Sequence, residues 1–288
     1  CPMLKSIDTF WRSAVLYFIF IWLGLMVFVP NLLVLLASFL SKDETYFLSL
    51  PLNLRNYAAL ADTVLFSVIL KSLNIAFFTT LFCLLVGYPF AYFIARAPKE
   101  WRSLFLMLII VPFWTNSLIR NYALISILST NGLLNGFLMK IGVISQPMQI
   151  LYSDWAVFIG MSYTLLPFMI LPLYATLEKL DKNLLEAARD LGAGSFGTFF
   201  KIVIPLSMPG VVAGCIMVFL PALSLFYVSD ILGGANSMVI GSVIRNKFMI
   251  ARDWPVGSAI SVVLTVFMLF LLRFYYKSGN SEQEQTIW

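Results

Sequence analysis

The chain has 288 residues, of which 60% are hydrophobic and only 11% are charged, and its mean hydropathy is +0.91. A soluble globular protein is nearer half apolar and a quarter charged, so this composition excludes that class and indicates an integral membrane protein. The net charge of +5 comes from lysines and arginines at the ends of apolar runs rather than from a basic groove, so we predict no nucleic-acid partner.

Apolar runs long enough to cross a bilayer recur six times along the chain. A hydrocarbon core of about 30 Å requires about 20 residues of helix. The runs lie at approximately 13–40, 66–95, 103–128, 153–177, 203–228 and 256–276. Because a backbone in lipid must satisfy its own hydrogen bonds, and no run shows the alternating pattern of a membrane strand, we predict helices. The expected fold class is an all-α integral membrane protein with six transmembrane helices.

Lysine and arginine are distributed unevenly between the two sides that six spans would create. Short, dense clusters lie before the first run, between the second and third, between the fourth and fifth, and after the sixth. Because such clusters stay in the cytoplasm, we expect both chain termini there. The predicted organisation is a cytoplasmic segment at 1–12, a single six-helix membrane domain at 13–276 and a cytoplasmic tail at 277–288.

The predicted cytoplasmic loop at 178–204 mixes polar, small and apolar residues in the segment DKNLLEAARDLGAGSFGTFFKIVIP. Asp181 or Asn183 can cap a short helix, and Gly192 and Gly194 predict its end, as in a left-handed cap. A second helix is predicted from about Ser195. The loop is therefore a helix-turn-helix elbow. We interpret it either as an ordinary interfacial connection or as a segment that docks into a groove on another protein.

Six positions of this elbow carry a resemblance to a known family. They are Glu186, Ala187, Ala188, Gly192, Ile202 and Pro205. Their order and spacing resemble the EAA loop of the permeases of binding-protein-dependent ABC importers, with no departure from the motif. In that family the loop docks into a cleft on a cytoplasmic ATPase and transmits its closure to the membrane helices. The resemblance therefore implies that these six residues couple the chain to a separate ATPase.

The resemblance extends over nearly the whole chain. Segments such as LIIVPFWTNSLIRNYA and FYVSDILGGANSM are similar to the permeases of spermidine/putrescine importers, with putrescine permeases as the near alternative. This implies a type I ABC importer permease fold in the bacterial inner membrane. It also implies four kinds of partner: a cytoplasmic ATP-binding subunit dimer, a second homologous permease, a periplasmic polyamine-binding protein and membrane lipid.

Polar and aromatic residues near the span ends are the candidates for contact with a substrate. They are Trp114, Asn116, Tyr163, Tyr227 and Asp230. A flexible polycation needs carboxylates and aromatic faces, so Asp230 with Tyr227 and Trp114 is the best set. The alternatives are aromatic belt residues at the membrane interface, polar groups that only join helices, and an aspartate that caps a helix or pairs with an arginine.

Several other function classes lack the residues that they need. The sequence contains no phosphate-binding GxxxxGK[ST] loop, so ATP hydrolysis is expected on a partner chain. It contains no histidine, no metal spacing and no catalytic constellation, so we expect neither an enzyme nor a bound cofactor. An ion-coupled secondary transporter is disfavoured because the centres of the spans carry almost no acids. Arg120 would repel a polycation and is expected to be structural or a gate partner.

Overall fold

The structure is a computed structural model and describes residues 2–42, 49–50, 52–234 and 237–284. The helices are α1 (Pro2–Phe39), α2 (Arg55–Ala58), α3 (Thr63–Arg96), α4 (Lys99–Trp114), α5 (Ser117–Leu128), α6 (Leu133–Lys140), α7 (Asp154–Glu178), α8 (Lys182–Asp190), α9 (Ser195–Thr198), α10 (Ile204–Ser224), α11 (Phe226–Val228), α12 (Ile240–Met249) and α13 (Trp254–Glu284). A 3₁₀ turn at Ala59–Ala61 follows α2, and π-helical turns at Phe199–Val203 and Ser229–Gly233 follow α9 and α11. Within the described ranges there is no strand, only an isolated bridge between Ser41 and Ser49, so the all-α prediction is confirmed.

Six segments are long and apolar enough to cross a membrane, which confirms the predicted number. They are Val15–Phe39, Thr63–Arg96, Ser117–Lys140, Asp154–Glu178, Ser195–Ser224 and Trp254–Arg273. Five of the six overlap closely with the predicted runs.

The third span lies elsewhere than predicted. The run at 103–128 was predicted as one helix, but α4 and α5 divide it at Thr115 and Asn116. Pro112 lacks a backbone donor, and the extended backbone at residues 115 and 116 separates the two helices. With 16 residues, α4 is about 24 Å long, which is shorter than the hydrocarbon core.

The helices also extend beyond the predicted ends of the membrane domain. The predicted segment at 1–12 belongs to α1 from Pro2 onwards, and the predicted tail at 277–288 is helical as far as Glu284. Residue 1 and residues 285–288 lie outside the described residues. The cytoplasmic assignment of both segments stays a prediction.

Contacts divide the chain into two compact units. One comprises Cys1–Asp62 with Ile244–Phe267, and the other comprises Thr63–Val243 with Met268–Trp288. The second unit contains the elbow and the candidate substrate residues.

The second unit is built around α7, which packs against α3 and α10, while these two also pack against each other. Met161, Leu165, Met169 and Leu173 of α7 are all at most 1% exposed. Because they are four residues apart, they form one continuous face of the helix. In lipid this face is stabilised by close van der Waals packing rather than by removal from water.

Two glycines of α10 allow its close approach to α7. A Cβ atom at Gly210 would lie 2.8 Å from Cβ of Thr176 and 3.0 Å from the carbonyl oxygen of Pro172. A Cβ atom at Gly214 would lie 2.7 Å from Sδ of Met169. Small residues four positions apart are typical of close helix packing in membranes. The glycines therefore let α10, the helix into which the elbow leads, pack closely against the central helix.

Candidate functional site: the elbow and the arginine cavity

The first helix of the elbow is α8, and the structure selects its cap from the two predicted candidates. Oδ1 of Asp181 accepts a hydrogen bond at 2.9 Å from the backbone N–H of Asn183. On α8, Glu186 and Ala187 are exposed, whereas Ala188 is only 6% exposed. The first two can therefore reach another protein, while Ala188 packs α8 onto its own chain.

Of the two glycines predicted to end α8, Gly192 adopts the left-handed conformation, whereas Gly194 has φ −66° and precedes α9. The φ of Gly192 is +81°, and the backbone N–H of Ala193 donates to the carbonyl of Ala188 at 3.0 Å. The N–H of Leu191 donates to the carbonyl of Ala187 at 3.1 Å. A Cβ atom at Gly192 would meet nothing within 4 Å. Backbone conformation, rather than crowding within this chain, is therefore the reason for glycine here.

Large apolar side chains are exposed along the elbow. Leu191 is 88% exposed and Phe196 is 83% exposed, and Leu184 and Phe200 are exposed as well. Leu185 and Phe199 of the elbow pack against the apolar core of the second unit, whereas these four side chains are exposed and available to a partner. A concentrated apolar surface of this kind is typical of a protein–protein contact.

The second part of the elbow is continuous with a membrane span. The candidate span Ser195–Ser224 includes α9, the π-helical turn and α10. Ile202 is half-buried within the π turn, and Pro205, in the first turn of α10, is exposed. Because proline cannot donate a backbone hydrogen bond, it interrupts the regular α-helical pattern at this point. Movement of the elbow would thus act on α10 without an intervening flexible loop.

Phe199, the first residue of the π turn, connects the elbow to α3. Its ring lies edge-on to the rings of Tyr88 and Tyr92, with centroid distances of 5.6 Å in both cases. The hydroxyl of Tyr88 also forms a hydrogen bond of 2.7 Å with Oγ of Ser207 in α10. These contacts connect the elbow to two of the three central helices.

A cavity of about 660 Å³ lies where α4, α5, α7, α10 and α11 meet, and we call it the arginine cavity. It is lined by Phe113, Trp114, Thr115, Asn116, Ser117, Arg120, Thr164, Leu165, Phe168, Pro221, Leu225 and Tyr227. Three of the five substrate candidates, Trp114, Asn116 and Tyr227, therefore share one cavity. No carboxylate is among its lining residues within the described part of the chain.

The break between α4 and α5 shapes this cavity. Oδ1 of Asn116 accepts a hydrogen bond at 2.8 Å from the backbone N–H of Leu118, so Asn116 caps α5. Oγ1 of Thr115 donates to the carbonyl of Pro112 at 2.6 Å. Trp114, at the end of α4, is 79% exposed. Asn116 thus has a structural role that its position in the sequence did not reveal.

Arg120 is the cation of the cavity. Its Cζ atom lies 4.9 Å from the ring centroid of Phe113 and 5.6 Å from that of Tyr163. Tyr163, the fourth substrate candidate, is therefore beside the cavity through its contact with Arg120. Among the described residues, Arg120 has no carboxylate within salt-bridge distance, and its Nε is buried without a hydrogen-bond partner. The aromatic faces therefore supply the attraction that holds the guanidinium.

Asp230, the fifth candidate, is not among the residues that line the arginine cavity. It lies half-buried in the π turn Ser229–Gly233, where its Oδ1 accepts a hydrogen bond of 2.9 Å from Oγ of Ser242. The predicted set of Asp230, Tyr227 and Trp114 is therefore brought only partly together around this cavity.

Comparison with known proteins identifies the family. Residues 87–278 match the family described as "Binding-protein-dependent transport system inner membrane component". The chain belongs to this family of inner-membrane transport components.

Its relatives support the same membership over almost the full length. The "Spermidine/putrescine transport system permease protein PotB" of Salmonella typhimurium (strain SL1344) is 54% identical over 259 residues, covering 90% of each chain. The protein of that name from Escherichia coli (strain K12) is 53% identical, covering 90% of this chain and 94% of the relative. The one from Haemophilus influenzae is 47% identical over 277 residues, covering 96% and 97%.

A solved structure has the same fold at low sequence identity. A chain of a bacterial alginate ABC transporter, in complex with an alginate pentasaccharide-bound periplasmic protein, superposes with a TM-score of 0.76 at 18% identity, covering 94% of both chains. The fold is therefore that of an ABC importer permease. Membership of this family makes the chain a multi-pass permease of the inner membrane and implies an ATPase and a binding protein as partners.

Sequence reasoning missed part of this permease's cavity. Phe113, Thr164 and Phe168 line it, and the rings of Phe113 and Phe168 are 5.3 Å apart. The sequence could have indicated Phe113, because this residue precedes Trp114 at the start of a polar break in the apolar run. Nothing in the sequence indicated Thr164 and Phe168, because α7 is apolar on nearly every face and its pattern does not show which face borders a cavity.

Proposed function

We propose that the chain is the permease subunit of an ATP-driven polyamine importer and forms half of the translocation path. The observation that carries the substrate assignment is the 54% identity, over 90% of the chain, to a spermidine/putrescine permease. Identity of this extent makes a common substrate class the simplest expectation. Putrescine alone is the alternative within that class.

The elbow is the proposed docking site for the ATPase. Exposed Glu186 and Ala187 form its polar contact, and Leu191 and Phe196 offer apolar anchors for a cleft on the partner. Gly192 sets the angle between the two helices of the elbow, Ala188 and Ile202 support its packing, and Pro205 fixes its junction with α10. In this proposal the ATPases close, move the elbow and rotate α10 with its packed neighbours, which alternates access to the path.

The arginine cavity is the proposed section of the path within this chain. Aromatic rings of Trp114, Tyr227 and Phe113 can attract an ammonium group through cation–π contact. The cavity contains a positive charge and no carboxylate among its described lining residues, so polyamine binding here is weak. Weak binding favours release of the polyamine into the cytoplasm. Specificity for polyamines then rests on a periplasmic polyamine-binding protein and on the second homologous permease.

The proposed topology follows from the charge distribution. Both termini and the elbow lie in the cytoplasm, and the membrane domain lies between them. This orientation puts the elbow on the side where ATP is available. It puts the arginine cavity, which α7 lines with Thr164, Leu165 and Phe168, about midway along that helix and therefore away from the elbow.

The test uses the complete complex in lipid discs: this chain, the second permease, the ATPase and the binding protein. ATPase activity is measured with the binding protein empty, loaded with spermidine or loaded with putrescine. We expect stimulation by the spermidine-loaded protein. Stimulation by putrescine alone would restrict the substrate, and stimulation only by an unrelated solute would reject polyamine transport. Omission of the second permease should abolish stimulation; full activity without it would contradict the proposed pairing.

A further inference from the structure

A second cavity, of about 880 Å³, opens between α3 and the start of α7, away from the elbow. We call it the ion-pair groove. At one end Nζ of Lys71 and Oδ1 of Asp154 are 2.8 Å apart. Towards the other end the walls are apolar, formed by residues such as Phe78, Phe82 and Leu85. The groove is thus charged at one end and apolar along the rest of its length.

The groove is as long as one leaflet of a bilayer. Lys71 and Leu85 are 14 residues apart on α3, which corresponds to about 21 Å along a helix. Half of a bilayer, including its headgroups, is about 20–22 Å thick. Trp155 lies beside the ion pair and is 71% exposed, as expected for an aromatic residue at the membrane interface. The charged end therefore lies at headgroup depth, and Leu85 lies near the bilayer centre.

The charged end has unused capacity for a cationic donor. Asp154 accepts from Lys71 and, at 2.6 Å, from Oγ of Ser237, and both contacts use Oδ1. Its side chain is 53% exposed, and Oδ2 has no hydrogen-bond partner among the described residues. A carboxylate oxygen can accept more than one hydrogen bond, and a charged donor gives the strongest.

We propose that the ion-pair groove binds a phospholipid whose headgroup carries both a phosphate and a primary ammonium, as in phosphatidylethanolamine. The ammonium donates to Oδ2 of Asp154, the phosphate lies near the Lys71 ammonium, and one acyl chain follows Phe78 and Phe82 towards Leu85. A choline headgroup lacks N–H donors for Asp154. A glycerol headgroup leaves the lipid with a net negative charge and offers Oδ2 of Asp154 no cationic donor. A polyamine is disfavoured by Lys71.

This site does not depend on the transported substrate, so it can be tested without transport. The purified complex is stripped of lipid with detergent and then incubated with phosphatidylethanolamine, phosphatidylcholine or phosphatidylglycerol. Native mass spectrometry counts the retained lipid, and the unfolding temperature is measured in parallel. We expect phosphatidylethanolamine to be retained and to raise the unfolding temperature more than the other two lipids do. Equal retention of all three lipids would overturn the proposal.

Three variants locate the site. Lys71→Met and Asp154→Asn each remove one charge, and we expect about tenfold weaker retention, the effect of one lost hydrogen bond to a charged group. Leu85→Trp fills the apolar end and leaves the ion pair intact, so it separates lipid binding from the stability of the α3–α7 contact. We expect it to reduce retention as well. Unchanged retention in all three variants would place the lipid elsewhere.

The matched control is Lys247→Met. Lys247 pairs with Asp253 at 3.6 Å in the other compact unit and has no part in the groove. It should leave phosphatidylethanolamine retention unchanged. If the second permease covers the groove instead, Ser67→Cys, at an exposed position beside the ion pair, will resist maleimide labelling in the lipid-free complex without its native cysteines, and that result would also overturn the lipid proposal.

Discussion

At the scale of single residues, the structure separates side chains that touch a partner or a path from those that shape the backbone. Asn116 was predicted as a substrate contact, yet its side chain caps α5 while it lines the arginine cavity. Arg120 is held by two aromatic rings in the same cavity. Gly192 has no crowding neighbour and is determined by its positive φ. The roles of Asn116 and Arg120 depend on atoms that the sequence cannot place, whereas the left-handed conformation of Gly192 is a local property that the sequence predicts.

Gly192→Val should separate the ATPase from the permease. A β-branched residue at φ +81° is strained by at least about 1–2 kcal/mol, so the turn between α8 and α9 should change shape. We expect the ATPase to be lost on affinity purification and uptake to stop, while the membrane helices stay folded by circular dichroism.

Gly142→Val is the matched control for this change. Gly142 has φ +75° and equally open surroundings, but it lies outside the elbow. It should carry a similar backbone strain and retain the ATPase. Loss of the ATPase from both variants would show that general destabilisation, rather than the elbow, explains the result.

Arg120→Gln tests whether the positive charge in the cavity assists release of a polycation. The charge should repel a bound polyamine by about 1 kcal/mol, so its removal should slow the maximal uptake rate about fivefold. Arg120→Lys retains the charge and should preserve most of the rate. Uptake is measured at saturating loaded binding protein; an unchanged rate in Arg120→Gln would remove Arg120 from the path.

At the scale of elements, two contacts transmit the movement of the elbow. The rings of Phe199, Tyr88 and Tyr92 join the π turn to α3. The glycines of α10 let this helix pack closely against α7. The elbow and the three central helices are therefore one packed assembly within the second unit. The elbow can transmit force because it contains no flexible linker before α10.

Phe199→Ala and Phe196→Ala should fail in different ways. Phe199 is half-buried against Tyr88 and Tyr92, so its removal leaves the outer surface of the elbow intact. We expect the Phe199→Ala permease to retain the ATPase. The complex should still hydrolyse ATP, but with reduced uptake. Phe196 is exposed, so Phe196→Ala should weaken ATPase binding itself. Identical losses of binding in both variants would contradict a separate transmitting role for Phe199.

Gly210→Ala should destabilise the contact between α7 and α10. Its new Cβ atom would lie too close to Thr176 and to the backbone of Pro172, and overpacking of this kind costs about 1–3 kcal/mol. Gly136→Ala is the comparison, because a Cβ there meets nothing within 4 Å and alanine favours a helix. Thermal unfolding in lipid discs should show a lower midpoint for Gly210→Ala only; equal midpoints would contradict the close packing.

At the scale of the whole molecule, the chain is organised as a partner-dependent component. Its elbow exposes apolar side chains, its arginine cavity contains a cation without a described carboxylate partner, and most of its first span, Val15–Phe39, is not buried within the chain. All three features are understandable in a permease that completes its surfaces with an ATPase, a second permease and lipid. The proposed complex supplies what each surface lacks.

The sequence by itself determined the membrane class, the six spans, the elbow and the left-handed glycine, because hydrophobicity, helix caps and positive φ are local properties. It also carried the family motif, since Glu186, Gly192 and Pro205 are recognisable by spacing alone. Only the tertiary structure decided which face of α7 is buried, where the third span breaks, and that Arg120 lies between Phe113 and Tyr163. The physical reason is that a helix apolar on all sides contains no periodic signal for its neighbours, so packing, rather than pattern, selects the faces that meet.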